Sequence, residues 1–254
     1  MKARKAEPPP CTEVCMPVIL STPEPLPLAM NTIICTVDVI LLTLLHDSLQ
    51  VALLRRDHEP FAGVLALPGG YIHPDQDGDT QAAAVRVLRD KTGIVSPYLE
   101  QLATFSGRGR DPRGWSLSIC YYALVPPEVI EAAGHPEVVL VPADGIAGLP
   151  FDHQQIVAAA LERVRNKSSY SSLPVYLCGE TFTLPRLQAV YETLLGEPLN
   201  KVSFRRKIEE FDILEPIEGA LETGKAHRPA QLYRLKARYR NRLSLTDRGL
   251  STGT

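Results

Sequence analysis

The segment from Leu67 to Ile94 reads LPGGYIHPDQDGDTQAAAVRVLRDKTGI and has the clearest local pattern in the chain. The pair Gly69-Gly70 follows an apolar run, and glycine lets a backbone approach a ligand closely. A helix is predicted next, because Asp79 or Thr80 can cap its start and Gly93 suits the left-handed residue that ends a helix. The arrangement predicts a site that holds a nucleoside diphosphate over a helix.

From its arginine onward, the helix resembles a Nudix box. That pattern continues from the arginine as glutamate, apolar, any residue, two glutamates, any residue, glycine and apolar. Four positions of this chain match the pattern: Arg86, Leu88, Gly93 and Ile94. The resemblance implies a nucleotide-binding domain with an α/β/α sandwich and a mixed sheet.

The glutamate positions of the box do not hold glutamate. Three of them are Val87, Asp90 and Lys91. The fourth, counted back from Arg86, falls on Gly78, and the preceding loop is longer than the box by two residues. Magnesium requires several oxygen ligands, and one carboxylate beside a valine and an ammonium group does not supply them. We therefore expect no metal site and no catalytic residues here.

Basic and aromatic side chains around the glycine pair are candidates for binding the nucleotide. Arginines before the box can bind a pyrophosphate through paired hydrogen bonds, and Lys91 can take the place of a cation. The segment GRGRDPRGW, residues 107–115, is either an exposed hairpin tip or a cationic lid over the ligand. The candidate effector-binding residues are Arg55, Arg56, Gly69, Gly70, Lys91, Arg108, Arg110 and Trp115.

Composition describes a soluble globular protein with a basic second half. The chain has 254 residues, 44% of them hydrophobic and 22% charged, which is enough for one large or two ordinary domains. The net charge of −2 is unevenly distributed. There are 14 basic and 19 acidic residues up to Ser169, and 13 basic and 10 acidic residues after it. Acidic residues are absent from Lys225 to Arg242. Such a run adjoining a candidate DNA-binding motif favours contact with nucleic acid.

Nothing in the sequence predicts export or a membrane span. The five cysteines are odd in number and lie mostly in apolar stretches, which is typical of reduced thiols in the cytoplasm. The start, MKARKAEPPP, lacks the apolar core of a signal peptide. The apolar run from Thr32 to Leu45 is too short to span a bilayer and contains Asp38. We expect a cytoplasmic protein.

The second half has the element order of a winged helix-turn-helix. The segment LPVYLCGETFTL predicts a strand and a turn, and Thr183 can cap a helix that runs to Leu195. A second helix, SFRRKIEEF, follows with Asn200 or Ser203 as its cap, and residues 213–217 and 231–235 alternate as a hairpin. The candidate DNA-binding residues are Lys201, Ser203, Arg205, Arg206 and Lys207 on this helix, and Lys225, His227 and Arg228 at the tip of the hairpin.

These patterns divide the chain into five parts. We expect a proline-rich flexible arm at 1–31, a Nudix-like effector-binding domain at 32–167 and a linker at 168–174. A winged helix-turn-helix domain then occupies 175–238, and a basic and then polar tail occupies 239–254. The fold class is therefore α+β, an α/β/α Nudix-like sandwich followed by a winged helix-turn-helix domain.

Together the two halves closely resemble the Nudix-related transcriptional regulators of NAD metabolism. The resemblance covers roughly residues 32–238 and is most specific in the phrases SFRRKIEEFDILEP and HRPAQLYRL. It implies a bacterial homodimer that binds a palindromic double-stranded operator, represses genes of NAD synthesis or salvage, and requires no cofactor. It also implies that ADP-ribose or a related nucleotide is the effector.

Two other functions remain open from the residues. One is an active ADP-ribose pyrophosphatase with an appended basic domain, because Asp75, Asp77, Asp79 and Asp90 could supply carboxylates from a longer loop. The other is a nucleotide-binding protein whose basic domain contacts RNA or another protein. Hydrolysis assays separate the first from a sensor, and salt-dependent DNA binding separates the second.

Overall fold

Residues 33–168 form a sheet with helices on both faces. The computed structural model describes residues 33–222 and 229–245. The predicted arm at 1–31 lies outside the described residues. In chain order the elements are β1 (Ile34–Leu45), β2 (Ser48–Arg55), β3 (Leu65–Ala66), β4 (Gly69–Tyr71), α1 (Thr80–Thr92), β5 (Leu99–Asp111), β6 (Gly114–Leu124), α2 (Pro127–Ala133), β7 (Val138–Pro142) and α3 (His153–Ser168).

The sheet is organised around β1, which is buried on both faces. Its main path runs β3-β2-β1-β6-β5, with β4 beside β1 and β7 beside β2, and β1 pairs with β6 in parallel while the other pairs are antiparallel. Side chains alternate across a strand. Val39 and Leu41 accordingly join a core with α1 and α2, whereas Ile40 and Leu42 join one with α3. The predicted α/β/α sandwich with a mixed sheet is confirmed.

Helix α1 has the ends that the sequence predicts. The Asp79 side chain accepts a hydrogen bond of 2.7 Å from the backbone N–H of Ala82, so Asp79 is the cap and Thr80 is the first helical residue. Gly93 ends the helix with φ at 70°, a left-handed conformation that glycine adopts without steric cost. Between these ends, Ala83 and Val87 form a buried face, and Val87 is the residue that a Cβ atom on Gly70 would approach.

The second half has the winged helix architecture. Its three-stranded sheet has the order β8 (Phe182–Thr183), β10 (Ala230–Leu235) and β9 (Leu214–Glu222), and the helices pack on it through a core that continues from α3. One prediction is wrong: residues 173–177 form a 3₁₀ helix with a proline in its first turn, and the predicted strand is reduced to two residues. The elements are β8 (Phe182–Thr183), α4 (Leu184–Leu195), α5 (Lys201–Phe211), β9 (Leu214–Glu222) and β10 (Ala230–Leu235).

Most of the segment predicted as a linker, 168–174, is buried, although Tyr170 is exposed. Ser168 and Ser171 are fully buried, and their hydroxyls donate hydrogen bonds of 2.6 Å to the carbonyls of Val164 and Lys167. Serine-rich composition is typical of flexible linkers, but here two of the hydroxyls are satisfied by the end of α3. The domain boundaries themselves remain a prediction.

The start of the predicted tail is also ordered. The backbone N–H of Ser172 donates to the carbonyl of Ser244 at 2.9 Å, and the N–H of Ser244 donates to the Ser172 hydroxyl at 2.9 Å. The Tyr176 hydroxyl donates to the carbonyl of Tyr239 at 2.8 Å. Residues 239–245 therefore fold back onto the junction between the two halves. No helix in residues 33–222 or 229–245 is both long and apolar enough to cross a membrane.

Candidate functional site

A cleft of about 490 Å³ opens between the glycine pair, α1, the loop after β2 and the β5–β6 hairpin. Its walls carry several basic side chains. Six of the eight predicted effector-binding residues line it: Arg55, Arg56, Gly69, Gly70, Lys91 and Arg110. The remaining two, Arg108 and Trp115, lie on the hairpin outside the lining of the cleft. The predicted residues therefore lie mostly around one cleft, but of the three selected on the hairpin only Arg110 lines it.

The glycine pair is needed by the protein's own side chains. A Cβ atom on Gly69 would lie 2.0 Å from Oδ1 of Asp38, and one on Gly70 would lie 3.1 Å from Cγ2 of Val87. The first distance is far below any contact that a side chain tolerates. The sequence predicted these glycines as room for a ligand, and the structure shows that Gly69 makes room for a buried carboxylate.

Asp77 and Arg86 tie the loop after the glycines to α1. Nε of Arg86 donates to Oδ1 of Asp77 and Nη2 donates to Oδ2, both at 2.7 Å. Asp77 also accepts from the N–H of His73, and the Arg86 guanidinium lowers the pKa of Asp77 to about 2. The box carboxylate was predicted to be missing because the count from Arg86 fell on Gly78. Asp77, one residue before Gly78, is the carboxylate that pairs with Arg86.

The box positions at 87, 90 and 91 have three different environments. Val87 is 2% exposed and packs against Val37 and Ala83, so this position belongs to the core. Asp90 lines the cleft and pairs with its exposed neighbour Arg89 at 2.8 Å. Lys91 brings an ammonium group to the cleft. One apolar, one acidic and one basic side chain therefore replace the glutamates.

Three of the predicted cations keep their charge available. Arg55 donates to the carbonyl of Gly63, and Nε of Arg56 donates to the carbonyl of Pro60 at 2.8 Å. The Arg56 guanidinium lies 4.9 Å from the centre of the Phe151 ring, and burial lowers the pKa of Arg56. Among the described residues, no carboxylate forms an ion pair with Arg55, Arg56 or Lys91. These three groups are therefore free of ion pairs within the described residues, although other carboxylates line the same cleft.

Arg110 is different, because its charge is already neutralised. Its side chain is 7% exposed and donates to both carboxylate oxygens of Asp152, at 2.9 and 2.8 Å. Asp38 lies 3.7 Å from the same guanidinium. Strand β5 continues to Asp111 and β6 begins at Gly114, so the segment 107–115 forms the arms and tip of a hairpin. The structure favours the hairpin interpretation over the lid.

The floor of the cleft holds polar groups that were not among the predicted site residues. Ser118 donates to Oδ2 of Asp38 at 2.6 Å, and the N–H of Leu67 donates to Nδ1 of His153 at 3.1 Å. Burial lowers the pKa of His153, so the ring is neutral and its Nε2–H faces Oδ1 of Asp38 at 3.7 Å. Two features of the sequence could have indicated these groups: Asp38 lies inside an apolar strand, and Asp152 and His153 stand together at the start of a helix.

Arg113, which belongs to the segment predicted as a hairpin tip or a lid, forms a second group at the rim with Tyr71, which was not among the predicted site residues. Arg113 donates to both carboxylate oxygens of Asp111 and to the Tyr71 hydroxyl at 2.6 Å. The guanidinium lies 5.7 Å from the centre of the Tyr71 ring. Both residues line the cleft. The arrangement gives the rim an aromatic ring held in place by an arginine.

Helix α5 presents its predicted basic start to solvent. Oδ1 of Asn200 accepts from the N–H groups of Val202 and Ser203, both at 3.0 Å, so Asn200 is the cap. The buried face consists of Phe204, Ile208 and Phe211. Four of the predicted DNA-binding residues on this helix are exposed: Lys201, Ser203, Arg205 and Arg206.

Lys207 differs from these four residues. Its side chain is 14% exposed and its ammonium group pairs with Glu210 at 3.0 Å. Lys207 follows Phe204 by three residues and precedes Phe211 by four, so it lies beside the buried face. Lys207 is therefore less accessible than the four exposed residues of this helix, and its contact with DNA stays a prediction.

The hairpin that follows α5 is present, with β9 and β10 antiparallel. Its predicted basic tip, Lys225, His227 and Arg228, lies outside the described residues. Farther along, Arg234 pairs with Glu215, and Lys236 and Arg238 both pair with Asp212 at the end of α5. Part of the basic run therefore joins the strand to the helix.

Known protein families match both halves of the chain. A family model described as the NUDIX domain matches residues 36–162, and one described as the NrtR DNA-binding winged helix domain matches residues 174–235. The ADPR responsive transcriptional repressor NtrR of Acinetobacter baylyi is 40% identical over 203 residues, which cover 78% of this chain and 80% of that protein.

Two further proteins are similar to this chain, one to most of its length and one to its first half. A crystal structure of Shewanella oneidensis NrtR complexed with a 27mer DNA has a TM-score of 0.79 and 39% identity, covering 85% of this chain and 99% of that chain. An ADP-ribose pyrophosphatase of Methanocaldococcus jannaschii is 30% identical over 110 residues, covering 42% of this chain and 63% of that protein. The chain therefore belongs to the NrtR family, in which a NUDIX domain precedes a DNA-binding winged helix domain.

Proposed function

We propose that the protein is a transcriptional repressor that senses ADP-ribose, or a related NAD-derived nucleotide, and controls genes of NAD synthesis or salvage. The main support for this proposal is that one chain has two cationic surfaces, a concave cleft and an exposed helix start. The cleft offers Arg55, Arg56 and Lys91 without carboxylate partners among the described residues, and α5 offers the exposed Arg205 and Arg206. A concave cationic cleft fits a pyrophosphate, and an exposed cationic helix start fits a major groove.

We further propose that the cleft binds its nucleotide without cutting it. Val87 occupies a glutamate position of the box and is packed in the core, so it supplies no ligand to a metal. Lys91 adds a positive charge where a divalent cation would have to bind, and the two repel each other. A repressor that hydrolysed its effector would also continually remove its own signal. In this proposal Lys91 neutralises the pyrophosphate directly.

A charge reversal at Lys91 tests that role. Lys91→Glu should weaken ADP-ribose binding measured by calorimetry in EDTA, because an ammonium contact becomes a carboxylate repulsion. Lys201→Glu is the matched control, since it makes the same charge change on α5. Unchanged affinity in Lys91→Glu would remove Lys91 from the effector site.

An active pyrophosphatase is the second candidate function. It is favoured by three of the five carboxylates that line the cleft, Asp57, Asp90 and Glu137, and by the similarity to an ADP-ribose pyrophosphatase. Incubation of the full chain with ADP-ribose and magnesium or manganese separates the two. Turnover to AMP that Asp90→Asn abolishes would establish the enzyme, whereas intact ADP-ribose after prolonged incubation supports the sensor.

A role for the basic half in binding RNA or another protein is the third possibility. Gel shifts with duplexes from upstream regions of NAD genes distinguish it, because operator binding should weaken steeply with salt and resist RNA competitor. Equal competition by RNA would favour the third possibility over the repressor.

The proposal includes a homodimer in the bacterial cytoplasm. Two recognition helices have to match half-sites about one helical turn apart, or a multiple of it, so a palindromic operator requires two copies of the chain. The nucleotide can change operator affinity only through different affinities for the two arrangements of the winged domains. Sedimentation with and without operator measures the stoichiometry directly.

A further inference from the structure

Val202 is an exposed apolar side chain at the start of the recognition helix. Its side chain is 76% exposed, the highest exposure among the large hydrophobic residues that the structure describes. It is the second residue of α5, directly after the cap Asn200 and Lys201. A valine in this position contacts no part of the hydrophobic core, so the fold does not explain it.

Helix stability does not explain it either. Valine is a weaker helix former than the lysine and arginines around it, because its branched side chain loses rotamer freedom in a helix. Val202 precedes Arg205 and Arg206 by three and four residues, so all three share the face opposite Phe204 and Ile208. The apolar group is therefore set into the cationic face that contacts DNA in the proposed function.

We propose that Val202 reads a thymine in the operator through the C5 methyl group of the base. The major groove presents that methyl group as its one apolar feature, and small apolar side chains recognise it by contact. The residues at the start of a recognition helix are those that reach base edges. Arg205 and Arg206 supply the flanking contacts to phosphates or guanines. This inference rests on the proposed function and adds a specificity-determining residue to it.

The test begins with the operator itself. The full chain is used to select duplexes from a library with a randomised centre, and each thymine of the enriched duplex is then replaced singly by uracil, which lacks only the methyl group. Wild-type affinity should fall about fourfold at one thymine of each half-site, because one buried methyl group is worth roughly that factor. The other thymines should tolerate uracil.

Val202→Ala completes the cycle. The variant should bind the thymine duplex about sixteenfold more weakly, because a dimer loses the fourfold contact in both half-sites. It should bind a duplex with uracil at the critical position of both half-sites as well as wild type does, since both methyl contacts are already lost. Val95→Ala is the matched control, because Val95 is 65% exposed and lies in the first half of the chain. Its affinity and its thymine preference should equal those of wild type.

Each contrary result has a distinct meaning. An operator whose thymine preferences are the same in wild type and Val202→Ala overturns the inference and leaves the proposed function intact. A change of oligomeric state in Val202→Ala, with thymine preferences unchanged, overturns it in favour of contact with a second copy of the chain. A chain that enriches no duplex overturns the proposed function and this inference together.

Discussion

Arg86 and Asp77 are joined by two parallel hydrogen bonds of 2.7 Å that fix the loop after the glycine pair to helix α1. Arg86 also donates to the carbonyl of Tyr71 at 2.9 Å, so one guanidinium holds both ends of the loop. A bidentate pair of this kind is stronger than a neutral hydrogen bond and fixes orientation as well as distance. The wall of the cleft is therefore fixed by an ion pair that does not involve Arg55, Arg56 or Lys91.

Asp77→Asn should destabilise the protein in a pH-dependent way. The pKa of an aspartate in an unfolded chain is about 3.9, and the Arg86 guanidinium lowers that of Asp77 to about 2. The folded-state pKa is depressed, so the stabilisation is complete above about pH 4 and is lost as the pH falls towards 2. Urea unfolding across this range should show wild type and variant converging in acid. A constant difference across the range would contradict the ion pair.

Gly69→Ala should disturb the cleft, since its new Cβ would lie 2.0 Å from Oδ1 of Asp38. We expect a loss of about 1–3 kcal/mol in unfolding free energy and weaker ADP-ribose binding. Gly78→Ala is the control, because nothing lies within 4 Å of a Cβ there. Chemical denaturation and calorimetry measure both effects. A Gly69→Ala protein with wild-type stability and affinity would mean that Asp38 moves without cost.

Asp152→Ala should strongly destabilise the fold by leaving Arg110 without its bidentate partner. Breaking a buried ion pair from one side costs about 3–5 kcal/mol, and Asp38 at 3.7 Å offsets part of that cost. Asp90→Ala breaks the exposed pair with Arg89 and should cost less than about 1 kcal/mol. Equal losses in the two variants would show that Arg110 does not depend on Asp152.

Arg205→Ala and Arg206→Ala should each weaken operator binding by about fivefold to a hundredfold without lowering stability, because both side chains are exposed on α5. Lys207→Ala is the internal control: its ammonium group pairs with Glu210 beside the buried face, so operator affinity should change little. Fluorescence anisotropy with a labelled duplex gives the three affinities. Undiminished binding by both arginine variants would mean that another element reads the DNA.

Local patterns were sufficient for the helices and for most of the sheet. The ends of α1 follow from the capping aspartate at 79 and the glycine at 93, and the inward face of α5 follows from the spacing of its apolar residues. The winged sheet was partly missed. Residues 173–177 are apolar enough for a strand, yet tertiary packing and Pro174 favour a 3₁₀ helix.

The cleft was predictable in location but not in detail. Its cations were found because arginine and lysine near a glycine pair have a clear chemical role. Asp38 and Asp152 were missed because their importance arises only when strand β1, the hairpin and the start of α3 converge on Arg110. The same convergence explains why Arg110 was assigned to the ligand, since its partner lies 42 residues away in sequence.

In the proposed function, the cleft senses a nucleotide that it does not cut, and one titration tests both parts of this proposal. Operator DNA is titrated with the full chain in the presence of magnesium, with and without ADP-ribose, and the nucleotide is recovered afterwards and analysed for AMP. ADP-ribose should change operator affinity and should be recovered intact. Release of AMP, or an operator affinity that ADP-ribose leaves unchanged, would contradict the proposal.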